Sequence, residues 1–181
     1  MAVLPVVEIP QLPQTVDEFV VLRDRVAQTP QGGAAMLVVA LLAYADDEAL
    51  GCECLAVAVD RGNLQEGPKG YRGWQLPDNT LKRVGLQIDG KEYLPRSYIK
   101  GATPANGYAL PAPPYVIECS DNPYSGDLES GQYKVFVACS GADSPRPVTL
   151  KRNDKGFWKA SEWSSLIVGV KPLVATFSDD L

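Results

Sequence analysis

The stretch that most limits what this chain can become is Pro30 to Ala45, which would be apolar almost all the way round a helix. Its unbroken part, Ala34 to Ala45, is well short of the ~20 residues that span a bilayer. A helix with no polar face has to be enclosed by other elements. The expectation is therefore a helix over Pro30–Tyr44 in the middle of a folded core. Thr29 is placed to cap it, and Pro30 takes the first position, where a missing N–H costs nothing.

Two further helices flank it in sequence. Thr15 and Glu18 have the spacing of a capping box that opens Val16–Ala27, with Val16, Phe19, Val20 and Val26 on one face. Asp46 or Asp47 caps a third helix, with Glu48 in its first turn, running to about Val59. The connections are short, which favours antiparallel neighbours. At 181 residues the chain is read as one domain, large enough to hide about 70% of its unfolded surface.

From 61 to 114 the character changes: glycine and proline recur every few residues and break helices. Within this part, Asp89-Gly90 between Leu86-Gln87-Ile88 and Lys91-Glu92-Tyr93 predicts a β-hairpin near 86–93. From 115 to 170 apolar and polar residues alternate. Tyr115, Ile117 and Cys119 form one set; Tyr133, Val135, Val137 and Cys139 a second; Val148 and Leu150 a third. Phe157–Trp163 and an apolar Leu166–Val170 complete the expected strands, and Ala175–Leu181 is read as a frayed tail. Period-two alternation with short turns indicates an antiparallel sheet with one face covered. The fold class expected is α+β: an N-terminal helical layer packed on one face of a C-terminal antiparallel sheet, with a loop-rich middle segment.

The net charge is −5, and its distribution is uneven. Residues 1–60 carry two basic and nine acidic groups, 61–112 eight and four, and 113–181 seven and nine. An acidic chain lacks the basic footprint that nucleic acid requires. No membrane partner is expected either, nor a targeting signal, since Pro5, Pro10 and Pro13 interrupt the apolar residues of a start with no basic group. Four cysteines are too few for a disulfide scaffold and are read as reduced, in a cytoplasmic protein.

Histidine is absent, which removes histidine-based dyads, triads and metal ligands. No cofactor and no metal is expected. Thr29-Pro30-Gln31-Gly32-Gly33 lacks the ending of a phosphate-binding loop, so its glycines are assigned to close packing. Asp121–Gln132 has Pro123 where a calcium loop needs a side-chain oxygen, and Gln132 where it needs a bidentate glutamate. Cys52 and Cys54, two apart on a helix, point in different directions. Asp46-Asp47-Glu48 is explained by capping.

Two polar loops remain: Arg96-Ser97-Tyr98-Ile99-Lys100 running to Asn106-Gly107-Tyr108, and Ser140–Arg146, within which Asp143 could pair with Arg146. With Tyr71, Arg72 and Trp74 they could present a basic, aromatic-lined surface. Arg96, Tyr98, Lys100, Asn106, Asp143 and Arg146 are the candidate ligand-binding residues, and no catalytic residue is assigned. The favoured expectation is a non-catalytic binding protein for an anionic small molecule or protein segment. One alternative is a histidine-free hydrolase or lyase with Tyr98, Lys100 and Asp143 in one pocket. The other is a structural homo-oligomer subunit. Tyr98 and Lys100 lack the spacing of a helical Tyr-x-x-x-Lys pair, and no serine sits in a Gly-x-Ser-x-Gly turn.

Four strings, TPQGGAAM (29–36), RSYIKGATPANGYALP (96–111), SGADSPRPVTLKRNDKGFWK (140–159) and SEWSSLIVGVKP (161–172), resemble an uncharacterised, mostly bacterial domain-of-unknown-function family. The resemblance spans nearly the whole chain. It implies no particular activity, cofactor or catalytic residue.

Overall fold

The computed structural model describes residues 1–174; the tail expected at Ala175–Leu181 lies outside the described residues. The helical part follows its caps. Helix α1 is Val16–Val26, α2 is Pro30–Asp46 and α3 is Glu48–Ala58. The side chains of Thr15, Thr29 and Asp47 each accept an N–H of the first turn behind them. Helix α2 is buried from Gly32 through Tyr44 without a break, as a helix apolar on every side has to be.

The main sheet runs in the order β1 (Ala2–Val3), β6 (Cys119–Asp121), β8 (Gln132–Val137), β9 (Arg146–Arg152) and β10 (Trp158–Glu162). The short β7 (Gly126–Asp127) also lies on β8. Every pairing in it is antiparallel. Val135, Val137, Val148, Leu150, Trp158 and Ala160 are buried on the face that meets α2. The N-terminal helices therefore cover one face of a C-terminal antiparallel sheet. The close approach depends on Gly33: a Cβ there would sit 2.5 Å from the Trp158 carbonyl oxygen and 2.6 Å from the Leu150 side chain. Gly32 is jammed in the same way against the Val26 carbonyl at the end of α1.

The middle segment departs from expectation. No hairpin forms near 86–93; Asp78–Ile88 is a helix, α4. Its buried residues Val84 and Ile88, with Leu81 against the core, follow helical spacing, whereas Leu86, needed inward by the hairpin, is 69% exposed. Asp89-Gly90 does make a turn, but one that ends the helix. Asp89 keeps φ at −59°, Gly90 takes +79°, and the Lys91 N–H reaches the Ile88 carbonyl.

A hairpin does occur earlier, between β3 (Gln65–Tyr71) and β4 (Trp74–Gln75). Its turn residues Arg72 and Gly73 both have positive φ, at 51° and 82°. Two N-terminal strands lie outside the expected elements: β1, and β2 (Val7–Ile9), which pairs with β5 (Tyr115–Ile117). The strand expected at Leu166–Val170 is instead a single 3-10 turn, Ser164–Ile167, followed by extended chain. Leu166 and Ile167 are adjacent and both buried, whereas a strand with one face covered would bury only every other residue.

Candidate functional site

The two polar loops do come together. Ser140 donates its backbone N–H to the Ser97 carbonyl and its hydroxyl to the Ala102 carbonyl at 2.6 Å, and the Cys139 thiol donates to the Ser97 hydroxyl at 3.3 Å. The segment after the 3-10 turn packs against both. What that convergence does is visible in Arg146. Its Nη1 donates to the Tyr98 phenol oxygen at 3.1 Å and to the Val168 carbonyl at 2.6 Å, and its Nη2 to the Gly169 carbonyl at 2.7 Å. Tyr98 is fully buried and donates its hydroxyl to the Leu166 carbonyl at 2.7 Å; burial pushes its phenol well above the usual range, although Arg146 opposes this. These are the contacts of a clamp on residues 166–169, and they engage both terminal nitrogens of the guanidinium with the protein's own oxygens.

The other candidates divide in the same way. Asn106 forms a reciprocal capping box with Thr103 and donates to the Gly101 carbonyl at 2.7 Å. Asp143 pairs with Lys171 at 2.9 Å rather than with Arg146, and that hydrogen bond holds its carboxyl below its ordinary value. Lys100 lies 3.8 Å from Glu118. Tyr98 and Lys100 share a groove with Ser97, Cys139 and Ser140, while Asp143 lines the neighbouring groove beyond Glu118. The three residues of the enzymatic alternative are thus divided between two adjoining grooves. Arg96 stands apart on a separate cavity of about 220 Å³, formed by the segment 12–14, the end of α2, the start of α3 and Leu110.

The basic, aromatic surface assembles on the β3–β4 hairpin. Arg61 lies 4.6 Å over the Trp74 ring and Arg72 lies 5.1 Å over the Tyr71 ring. Among the described residues neither guanidinium is in an ion pair, and exposed Lys69 is on the same hairpin. The hairpin is held rigid from inside. The buried Gln75 amide accepts the Lys69 N–H at 3.1 Å and donates to the Leu76 carbonyl and to the Asp78 carboxylate. At Gly70 no side chain fits, since a Cβ would fall within 1.9 Å of the Trp74 carbonyl oxygen. Arg61 and Lys69 were not picked out by sequence, because neither spacing nor composition reveals that Arg61 reaches Trp74.

Among the described residues no group of three acidic or thiol side chains is placed to hold a metal ion. The four cysteines are free. A family model described as "Domain of unknown function (DUF6935)" matches residues 11–174, a span that includes all four of the recognised strings. No curated protein and no solved structure matches the chain.

Proposed function

We propose that this chain, which belongs to the DUF6935 family, is a non-catalytic binding protein that holds an acidic peptide segment of a partner on the outer surface of the β3–β4 hairpin. The observation that carries the reading is the pair of arginines laid over Trp74 and Tyr71 without a carboxylate partner. A guanidinium stacked on a ring is fixed in orientation while its N–H edge stays open, so it binds carboxylates bidentately at little entropic cost. Arg61, Lys69 and Arg72 are all exposed on or beside a two-stranded hairpin, which suits an extended peptide better than an enclosed small molecule. Four free thiols accord with a reducing, cytoplasmic setting, which we include in the proposal.

The test follows the indole N–H signals in a titration with hexaglutamate. Trp74 is half-exposed beneath Arg61, whereas Trp158 and Trp163 are buried. A saturable shift of the Trp74 signal alone supports the proposal. No shift, or equal shifts at all three indoles, overturns it.

A further inference from the structure

The cavity beside Arg96 has the make-up of a small-molecule site, independent of the hairpin. Its floor is apolar, built from Val39 and Leu42 of α2 and Leu50 of α3 together with Leu12 and Leu110. Its volume, about 220 Å³, exceeds the ~150 Å³ of an engineered cavity that admits benzene. Four charged side chains rim it: Asp46, Asp47, Glu92 and Arg96.

Two of the four are already engaged. Asp47 accepts the Leu50 N–H as the cap of α3, and Glu92 accepts the Gly90 N–H at 3.1 Å. Asp46 and Arg96 are exposed, and among the described residues neither makes an ion pair or a side-chain hydrogen bond. A carboxylate and a guanidinium without partners therefore flank one apolar floor. Asp46 is also the last residue of α2, where the negative end of the helix dipole adds to the attraction for a cation. Small-molecule sites have this form: an apolar concavity with a few polar groups that fix orientation.

We propose that this cavity binds a small zwitterion with an apolar tail, of the chemical class of the aliphatic α-amino acids. Arg96 takes the carboxylate, Asp46 takes the ammonium, and the tail lies on Val39, Leu42 and Leu50. Neither charged residue supports the fold, so both can be changed without unfolding the protein.

The experiment is calorimetric titration of the whole chain with L-leucine, with isocaproate, which lacks the ammonium, and with isoamylamine, which lacks the carboxylate. Leucine is expected to bind saturably, and Arg96→Met and Asp46→Asn each to weaken it about tenfold. Isocaproate should respond to Arg96→Met alone and isoamylamine to Asp46→Asn alone. Absence of saturable leucine binding, or leucine affinity unchanged by both variants, overturns the proposal. The hairpin reading is untouched by either result, because hexaglutamate binding does not involve this cavity.

Discussion

Arg146 and Tyr98, 48 residues apart, meet through a guanidinium-to-phenol hydrogen bond of 3.1 Å; from that contact Tyr98 reaches Leu166 within the Ser164–Ile167 turn, and Arg146 reaches Val168 and Gly169 just after it. One arginine closes three bonds to groups on two other segments. Hydrogen bonds from a charged donor contribute about 1.5–3 kcal/mol each at most, and several here are lost together. Because Arg146 is half-exposed, water replaces part of what is lost, and Arg146→Met is expected to lower stability by about 2–3 kcal/mol in urea unfolding. Tyr98→Phe, which removes one hydroxyl, should cost nearer 1 kcal/mol, again as a rough figure. An Arg146→Met protein as stable as the parent would show that the clamp carries no load.

Gly33 predicts a packing defect. The methyl of Gly33→Ala would have to push α2 away from the Trp158 carbonyl of β10 and the Leu150 side chain of β9. Helix propensity alone would favour alanine by about 1 kcal/mol, so the two effects have opposite signs. Overpacking costs about 1–3 kcal/mol and more where backbone is struck, so a net loss is expected. A thermal midpoint at or above that of the parent would contradict the close α2–β10 contact.

Lys159 predicts a pH dependence. Burial, then the positive charge of Arg23, brings its ammonium down to about 8 from an ordinary 10.5, against a weaker pull from Asp60. The unfolded chain therefore binds more protons between pH 8 and 10.5, and stability from this group rises as pH rises through that window. Lys159→Met should stabilise the protein at pH 7 by on the order of 1–2 kcal/mol, allowing for partial solvent screening, with the gain fading by about pH 10. Denaturant midpoints of both proteins at pH 7 and pH 10 measure this. A constant difference would contradict it.

The thiols predict an order of reactivity. Burial pushes Cys54 and Cys119 up to about 12, and both are closed to solvent. Cys52 is raised too, chiefly by burial, but it and Cys139 are only half-buried. Iodoacetamide at pH 8 should modify Cys139 and Cys52 in the native protein and reach Cys54 and Cys119 only after denaturation. Peptide mapping that finds Cys54 or Cys119 labelled first would refute the packing around α3 and β6.

Much of this fold was legible in the sequence because two signals were strong. A helix apolar on every side, from Pro30 onward, can only be central, and alternation from Tyr133 to Val137 can only be a half-covered strand. Structure and expectation part where one local signal is compatible with two structures. Asp89-Gly90 demands a turn, but a turn after a helix satisfies it as well as a hairpin, and Leu81, Val84 and Ile88 settle the matter by their spacing. The true hairpin had no such signal, because its turn places Arg72, not asparagine or aspartate, in the left-handed region.

The candidate site was legible as polar loops but not as to their use. Arg146 and Asn106 have the composition of binding residues, yet Asn106 spends its amide within its own loop, on the Gly101 carbonyl, and two of the Arg146 donors end on carbonyls supplied by another segment. Those partners lie too far along the chain, 22 and 23 residues for Arg146, for spacing to reveal them.

The hairpin's role is tested most directly by calorimetric titration of hexaglutamate into the parent protein, Arg61→Ala/Arg72→Ala, and Arg96→Met. The two stacked arginines are expected to account for the binding, so the double variant should lose at least tenfold in affinity with its thermal midpoint unchanged, while Arg96→Met binds like the parent. Equal affinity in all three proteins would contradict the account.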